Sequence, residues 1–321
     1  MRFMGFDLNL LVVFRAMMEH RSVTETARNL HLTQPAVSNA LGRLRQYFDD
    51  ELFVSAGNRM VPTELAERLS GPVRALLADA GGLLTAAQPF APESSDRTFV
   101  VSASDHVVDT VFAGAIEAIL GRAPGIRIDL LPLREDQWGA LESGEVDLHI
   151  LPREFSAPDH PVYPLFMDDY VVLSDSSNAA AVDGMTQEEL RGFQVVAALM
   201  GVPRKMRGGF SPQVSARLID RACVTVRQFS QLPQLIEGSE RIAVVPRLLA
   251  GNICRRFDLK VSEIGSETPR LDMVAQVNRR RANDSGLKWL VGHLVQAASS
   301  LRHSADNSNT TGVVAETRLE A

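Results

Sequence analysis

The sequence predicts a two-part chain, an N-terminal all-α winged helix-turn-helix with a linker helix, followed by a C-terminal α/β domain. Three observations predict it. Short helical patterns open at capping residues and lead into a hairpin, a heptad series of apolar residues runs from Ala66 to Ala87, and beyond Arg97 short strand-like runs alternate with helical ones. At 321 residues and 45% hydrophobic, the chain can bury more than one core, given roughly 100 to 200 residues per domain.

Asp7 to His20 reads as the first helix. Leu8, Leu11, Val12, Arg15 and Met18 recur at helical spacing, Leu10, Phe14 and Met17 thicken the apolar face, and Asp7 is placed to cap it. Ser22-Val23-Thr24-Glu25 has the form of a capping box, in which serine and glutamate side chains satisfy free amides at a helix start. The second helix runs from there to about Leu30 and offers the small Ala27 for close packing. Thr33-Gln34-Pro35 starts the third, with Thr33 as cap and Pro35 in the first turn, where a missing N–H costs little. Along it to about Phe48, Val37, Leu41, Leu44 and Phe48 share one side. Pro35, Asn39, Gly42 and Gln46, flanked by Ser38 and Arg43, share the other, which holds no acid. That face can approach phosphates, and Gln34, Asn39 and Arg43 carry the donors and acceptors that reading base edges in a major groove requires. Leu52 to Ser55 and Arg59 to Pro62, around Ala56-Gly57-Asn58, read as a hairpin wing. Arg59 then either reaches a phosphate or the minor groove, or is simply solvated.

From Thr63 to Gln88, Ala66, Val73, Ala80 and Ala87 alternate with Leu69, Leu76 and Leu83 in the a/d pattern of a helix packing on a partner helix. Pro72 and Gly81-Gly82 weaken it as a free-standing helix, so burial within its own domain is the competing reading. Pro89 to Asp96 is a linker. Strands are expected at Thr98 to Ala103, Ile126 to Leu131, Val146 to Leu151, Tyr170 to Ser174, Val195 to Leu199, Cys223 to Val226, Ile242 to Val245 and Leu271 to Val277. Helices are expected at Val107 to Leu120, Gln137 to Leu141, Gln213 to Ala222, Leu232 to Ile236, Arg247 to Arg255 and Leu287 to Leu301. This order implies mostly parallel sheets, with ligand sites outside the carboxyl ends of strands. The polar, unpatterned stretch after His303 reads as a disordered tail, 304–321.

Net charge is −6, which argues against broad polyanion binding. Through Thr63, however, seven arginines face six acids, giving +1 and leaving −7 for the remainder. Nucleic-acid contact therefore belongs near the N-terminus. No apolar run reaches the roughly 20 residues of a membrane span, and the N-terminus lacks the form of a secretory signal, so a cytoplasmic location and no membrane partner are expected. Cys223 and Cys254 are too few and too far apart for a disulfide framework or a structural zinc site, and no metal or cofactor is expected.

Residues Asp7 to Thr63 resemble the LysR-type winged helix. The resemblance is carried by Leu8-Asn9-Leu10-Leu11, Ser22-Val23-Thr24-Glu25-Thr26-Ala27, Leu32-Thr33-Gln34-Pro35-Ala36-Val37-Ser38, Leu41 with Arg43-Leu44, Leu52-Phe53 and Pro62-Thr63, in that order. It extends more loosely to about Leu301, and the wording from Asp7 to Phe14 and from Gln34 to Leu41 is similar to the branch of nodulation and aromatic-catabolism regulators. Asn39 departs from the basic residue that many LysR-type proteins have there, so base preference does not carry over. The resemblance implies a DNA-binding domain (1–63) whose contacts come from Ser22, Thr33, Gln34, Pro35, Ser38, Asn39, Arg43 and Arg59, a dimerisation helix (64–88), a linker (89–96) and an effector domain (97–303). It implies two periplasmic-binding-protein-like lobes, the first 97–167 with 269–303 and the second 168–268. A small aromatic effector would lie in the cleft between them. It also implies a homodimer or homotetramer on promoter DNA that engages RNA polymerase, with activation and repression both open.

Candidate effector residues are Ser102, Ser104, Asp105 and His106, at a strand end and helix start whose free amides favour a carboxylate or phenolate, with Met200 and Phe229 as an apolar wall. Asp105 may serve instead as a helix cap, and Met200 and Phe229 as ordinary core. Ser104-Asp105-His106 superficially offers an enzyme's nucleophile, acid and base, but adjacent residues at a helix start diverge. The sequence has no Gly-x-Ser-x-Gly elbow, phosphate loop, Gly-rich dinucleotide fingerprint or metal-spaced His/Cys cluster. A regulator is therefore expected rather than an enzyme. The remaining rival is an architectural DNA binder whose second domain only oligomerises.

Overall fold

The computed structural model describes residues 6–57, 59–86, 90–134, 136–199, 222–265 and 270–311. The chain divides into two compact units, Met1–Gln88 with Glu142–Glu145, and Pro89–Leu141 with Val146–Ala321. The first contains α1 (Asn9–His20), α2 (Val23–Asn29), α3 (Gln34–Phe48), β1 (Phe53–Ala56), β2 (Arg59–Pro62) and α4 (Glu64–Ala86). Each early helix starts at a side-chain acceptor. Asp7 Oδ1 takes the amide of Asn9 at 3.0 Å, Ser22 Oγ that of Glu25 at 3.4 Å, and Thr33 Oγ1 that of Ala36 at 3.3 Å. Only half of the capping box at Ser22 forms, because the Glu25 carboxylate pairs with Arg28 one turn along at 2.7 Å.

Val37, Leu41 and Leu44 of α3 join Phe14, Met17, Ala27, Leu52 and Phe53 in one core. The buried side of α1 is Leu10, Leu11, Val13, Phe14 and Met17, whereas Leu8 and Arg15 are exposed. The row Leu8, Val12, Arg15 is therefore not the packed face. The stacking of Phe14 on Phe53, ring centroids 5.7 Å apart, turns the helix toward the wing. In α4, Ala66 and Val73 are buried in this same core with Leu65, Leu69 and Leu77 packed beside them, while Leu76 is 42% exposed. The first heptads are thus used within the unit, and the seam open to a partner begins at Leu76. The Leu83 side chain and Ala87 lie outside what is described.

The second unit holds β3 (Thr98–Ser102), β4 (Arg127–Leu131), β5 (Leu148–Pro152), β6 (Val162–Asp168), β7 (Tyr170–Asp175), β8 (Val196–Ala198), β9 (Val224–Val226), β10 (Ile242–Pro246), β11 (Leu259–Ser262) and β12 (Leu271–Val277). One sheet has the order β4-β3-β5-β12-β6, a second β10-β7-β11, and β8 pairs with β9. The helices are α5 (Asp105–Val107), continued through a π turn at Val108–Phe112 into α6 (Ala113–Arg122), then α7 (Gln137–Glu142), α8 (Gln187–Leu190), α9 (Pro233–Ile236), α10 (Arg247–Cys254) and α11 (Ser285–Thr311). The helix expected over Gln213 to Ala222 falls almost wholly outside the described residues.

Several expectations are corrected here. The sheets are mixed rather than mostly parallel: β3 runs parallel to β4 and β5, but β12 is antiparallel to β5 and β6, and β7 to β10 and β11. The reason lies in β6 and β12. One carries the chain out of the first sheet and the other brings it back, so they run in opposite senses. β6 itself was not expected, because Pro164 argues against a strand; it is accommodated on an edge strand, beside a register shift at Met273/Val274. α11 continues to Thr311, past the expected tail start at 304, since no proline or glycine intervenes before Gly312. Residues 312–321 lie outside the description.

Between the two sheets the chain crosses at Asp168-Asp169 and returns before β12. Asp168 Oδ1 accepts the amide of Asp169 at 2.9 Å and Oδ2 that of Leu248 at 3.1 Å. Arg270 donates to Asp169 Oδ1 at 3.0 Å, tying the returning strand to the outgoing one. Among the described residues no helix is long and apolar enough to cross a membrane.

Candidate functional site

Two places concentrate the predicted site residues, one in each unit. On α3, Gln34, Pro35, Ser38, Asn39 and Arg43 are exposed together. The hydroxyls of Ser22 and Thr33 are occupied as caps, so these two orient α2 and α3 and can meet a ligand chiefly through the backbone. Arg43 Nη1 lies 3.2 Å from Asp7 Oδ2, an exposed pair of small energetic worth that a phosphate can replace. The Asn9 amide, ahead of Arg43, holds the Asp7 carboxyl below its ordinary range.

Arg59 is exposed at the first position of β2, opposite Ala56. The two-residue tip contains Gly57 at φ +63°, and Asn58 lies outside the described residues. What directs the wing was not anticipated from sequence. Leu52 takes a left-handed φ of +57°, unfavourable for a γ-branched side chain, and is held there by its neighbours. Asp50 Oδ1 accepts from Leu52 N at 2.6 Å and from Thr63 Oγ1 at 2.7 Å, while Arg45 donates to the carbonyls of Glu51 and Phe53 at 2.8 and 3.0 Å. A buried leucine following several acids is the only sequence trace of this turn.

In the second unit a narrow, mostly apolar pocket is lined by Leu133, Leu151, Phe155, Phe229, Leu271 and Met273, with Ser104, His106 and Gln137 as its polar members. The structure thus brings Ser104, His106 and Phe229 together. Asp105 stands at the rim, where a second, more open depression includes Ala103, Asp105, Arg227 and Gln228. Its Oδ2 accepts the amide of Ser230 at 2.8 Å, joining the start of α5 to the turn after β9. Ser102 is not brought in: its hydroxyl donates to the Pro132 carbonyl at 3.3 Å, because it sits inside the sheet rather than at the strand's end. Met200 lies outside the described residues.

The expected anion site at this helix start is also closed. Ser104 Oγ accepts Val107 N and Asp105 Oδ1 accepts His106 N, so the amides are satisfied locally and a carboxylate already stands there. His106 is 2% exposed, edge-on to Phe166 and Phe229 with ring centroids 6.2 and 6.0 Å away, and neither ring nitrogen has a hydrogen-bond partner. Its Nε2 is 4.0 Å from Asp168 Oδ2. Burial pushes the imidazole down to about 4 and the Asp168 carboxyl up to about 6. Sequence reasoning missed Asp168, whose only signal was a pair of acids where one strand pattern gives way to the next.

Comparisons with known proteins agree with both sites. Residues 8–67 match the bacterial regulatory helix-turn-helix protein, lysR family, and residues 92–299 match the LysR substrate binding domain. The chain is 33% identical to nodulation protein D 1 of Mesorhizobium japonicum over 308 residues, covering 95% of this chain and 98% of that one. It is 35% identical to nodulation protein D 2 of Rhizobium tropici over 299 residues, covering 93% and 95%. Among solved structures, a probable transcriptional regulator from Pseudomonas aeruginosa superposes with a TM-score of 0.66 at 28% identity, over 90% of this chain and 96% of that one. CbnR, a LysR family transcriptional regulator, shares the fold in its complex with target DNA at a TM-score of 0.59 and 16% identity, over 91% and 100%. With its helix-turn-helix and its ligand-binding α/β domain each matched along nearly their whole length, this chain belongs to the LysR family of DNA-binding transcriptional regulators.

Proposed function

We propose that the protein reads promoter DNA with α3 in a major groove and adjusts transcription in response to a small aromatic effector held between the two lobes of the second unit. One observation carries the DNA reading above the others, the acid-free exposed face of α3 between two side-chain-capped helix starts. Gln34, Ser38, Asn39 and Arg43 supply base-edge and phosphate contacts, Ser22, Thr33 and Pro35 set the helix N-termini against the backbone, and Arg59 reaches along the duplex from the wing. Ser104, His106 and Phe229 form the effector's surroundings, with Asp105 as a tie across the cleft. The nodulation proteins D support a role in gene control in the cytoplasm, with RNA polymerase as the downstream partner.

On an operator selected from random-sequence DNA, Asn39→Ala and Gln34→Ala are each expected to weaken specific binding by about 1 to 3 kcal/mol while leaving affinity for scrambled DNA nearly unchanged. Gel-shift titration on both DNAs measures this. Equal losses on the two would assign these residues to phosphates, and no loss on either would remove α3 from the groove.

A homodimer or homotetramer is proposed through the outer side of α4. Leu76 is exposed beside Phe6, Leu8, Tyr47 and Pro72, an apolar surface that a second copy of the helix would cover. Leu76→Asp places a charge there and should shift sedimentation toward monomer with parallel loss of operator affinity. An unchanged oligomer would exclude this surface.

A further inference from the structure

His106 is a buried polar group that nothing in the described structure satisfies. Buried polar atoms in folded proteins almost always have partners, and an exception placed in a pocket wall calls for a reason. The ring cannot turn to find one cheaply, because Phe166 and Phe229 hold it edge-on from two sides. Asp168 is near, but 4.0 Å exceeds a hydrogen bond, and both of its oxygens already accept backbone amides.

The charges around the pocket are one-sided. Its lining contains no lysine or arginine among the described residues. Asp168 stands behind His106 with a side chain only 4% exposed, and Asp105 guards the rim. Arg247, on the helix that Asp168 caps, is committed to Glu263 through two hydrogen bonds of 2.6 and 2.5 Å. An entering carboxylate would lose its hydration beside two acids without gaining a cation. An uncharged hydroxyl meets no such penalty and can exchange a hydrogen bond with the imidazole.

We propose that this pocket selects an uncharged, hydroxyl-bearing ring over a carboxylate-bearing one, with the His106 imidazole as the group that reads the hydroxyl. The proposal rests on the reading of this pocket as the effector site. It gives the sensor a definite chemistry: rings of Phe155 and Phe229 and the side chains of Leu271 and Met273 cover the apolar part of the ligand, and a single neutral polar group fixes its orientation. Burial keeps the imidazole neutral, so it offers both a donor and an acceptor.

The test uses the full-length protein at pH 7.5 and equilibrium dialysis with three matched probes, 2-naphthol, naphthalene and 2-naphthoate. 2-Naphthol is expected to bind about fivefold more tightly than naphthalene, the worth of one hydrogen bond, and at least about tenfold more tightly than 2-naphthoate. His106→Leu should erase the advantage of naphthol over naphthalene. Asp168→Asn should narrow the deficit of naphthoate. Ser104→Leu, which fills the pocket, should weaken all three probes. If Ser104→Leu changes none of them, or no probe binds the wild type, the pocket is not the effector site and the proposal falls with it. If Ser104→Leu blocks binding but naphthoate matches or exceeds naphthol, the site stands and its proposed selectivity is overturned. Should His106→Leu fail to fold, the order of the three probes on the wild type decides alone.

Discussion

Asp284→Ala is expected to destabilise the second unit by about 3 to 5 kcal/mol, the usual consequence of removing one partner from a buried ion pair. Asp284 has a side chain only 5% exposed and receives both Nη atoms of Arg97, at 2.7 and 2.8 Å, together with Arg281 Nη2 at 2.9 Å. It also caps α11, accepting the amide of Leu287 at 3.1 Å, so about 1 kcal/mol of the loss belongs to the cap. The deletion leaves two largely buried guanidinium groups, only one of which, on Arg281, retains a carboxylate at Asp147. Burial alone would raise the Asp284 carboxyl, but the hydrogen bonds and charge of Arg97, the Leu287 amide and Arg281 outweigh it and hold the group at about 2. A carboxyl whose folded value lies below its unfolded value stabilises fully above the unfolded value of 3.8 and loses that contribution as pH falls through about 2. The difference between wild type and variant should therefore persist from pH 7 to about pH 4 and close below it. Trp138 and Trp289, the chain's two tryptophans, both lie in this unit, so denaturant unfolding followed by their fluorescence reads it selectively. A loss under about 1 kcal/mol would show that the ion network contributes little to stability.

The second large effect is a change of slope. His106 is held at about 4 when folded against 6.5 when unfolded, so its contribution is present above pH 6.5 and is lost as pH falls from there through 4. Asp168 is raised to about 6 from 3.8, so its contribution runs oppositely and grows as pH falls from 6 through 3.8. In the wild type these two terms offset one another across the mildly acidic range. Asp168→Asn removes one of them. The variant should lose about 3 kcal/mol more stability than the wild type between pH 6.5 and pH 4, from a shift of about two units at 1.36 kcal/mol each. Losing one acceptor for the Asp169 or Leu248 amide lowers the variant's stability equally at every pH, so the slope and not the level is the readout. Parallel stability curves for the two proteins would mean that Asp168 is ionised in the folded state throughout, paired to a charged His106.

Much of the DNA-binding unit was legible because its signals are local. The caps at Ser22 and Thr33, the proline in the first turn of α3 and the glycine of the wing tip each act within a few residues of themselves, and backbone sterics leave them few alternatives. The same locality explains the errors. Rotation of α1 was misjudged because its buried face is chosen by Phe53, far along the chain, and Glu25 left its capping box for a cation one turn away. In the second unit most strands were visible from composition, while β6 was hidden by a proline that only an edge position tolerates.

Sequence alone determined the order of elements, the family resemblance, the DNA-facing side of α3 and the placement of Ser104 and His106 at a strand's end, since helix period, capping chemistry and turn residues are properties of neighbours in the chain. Only the tertiary structure decided that Ser102 is spent inside the sheet, that Asp105 reaches Ser230 across 125 residues of chain, and that Asp168 stands behind His106. It also decided that the strands crossing between the sheets are antiparallel and that half of the heptad on α4 is buried in its own unit. These outcomes depend on which surfaces meet once apolar groups leave water and buried polar groups compete for partners. That competition involves residues distant in sequence, and no local pattern records it.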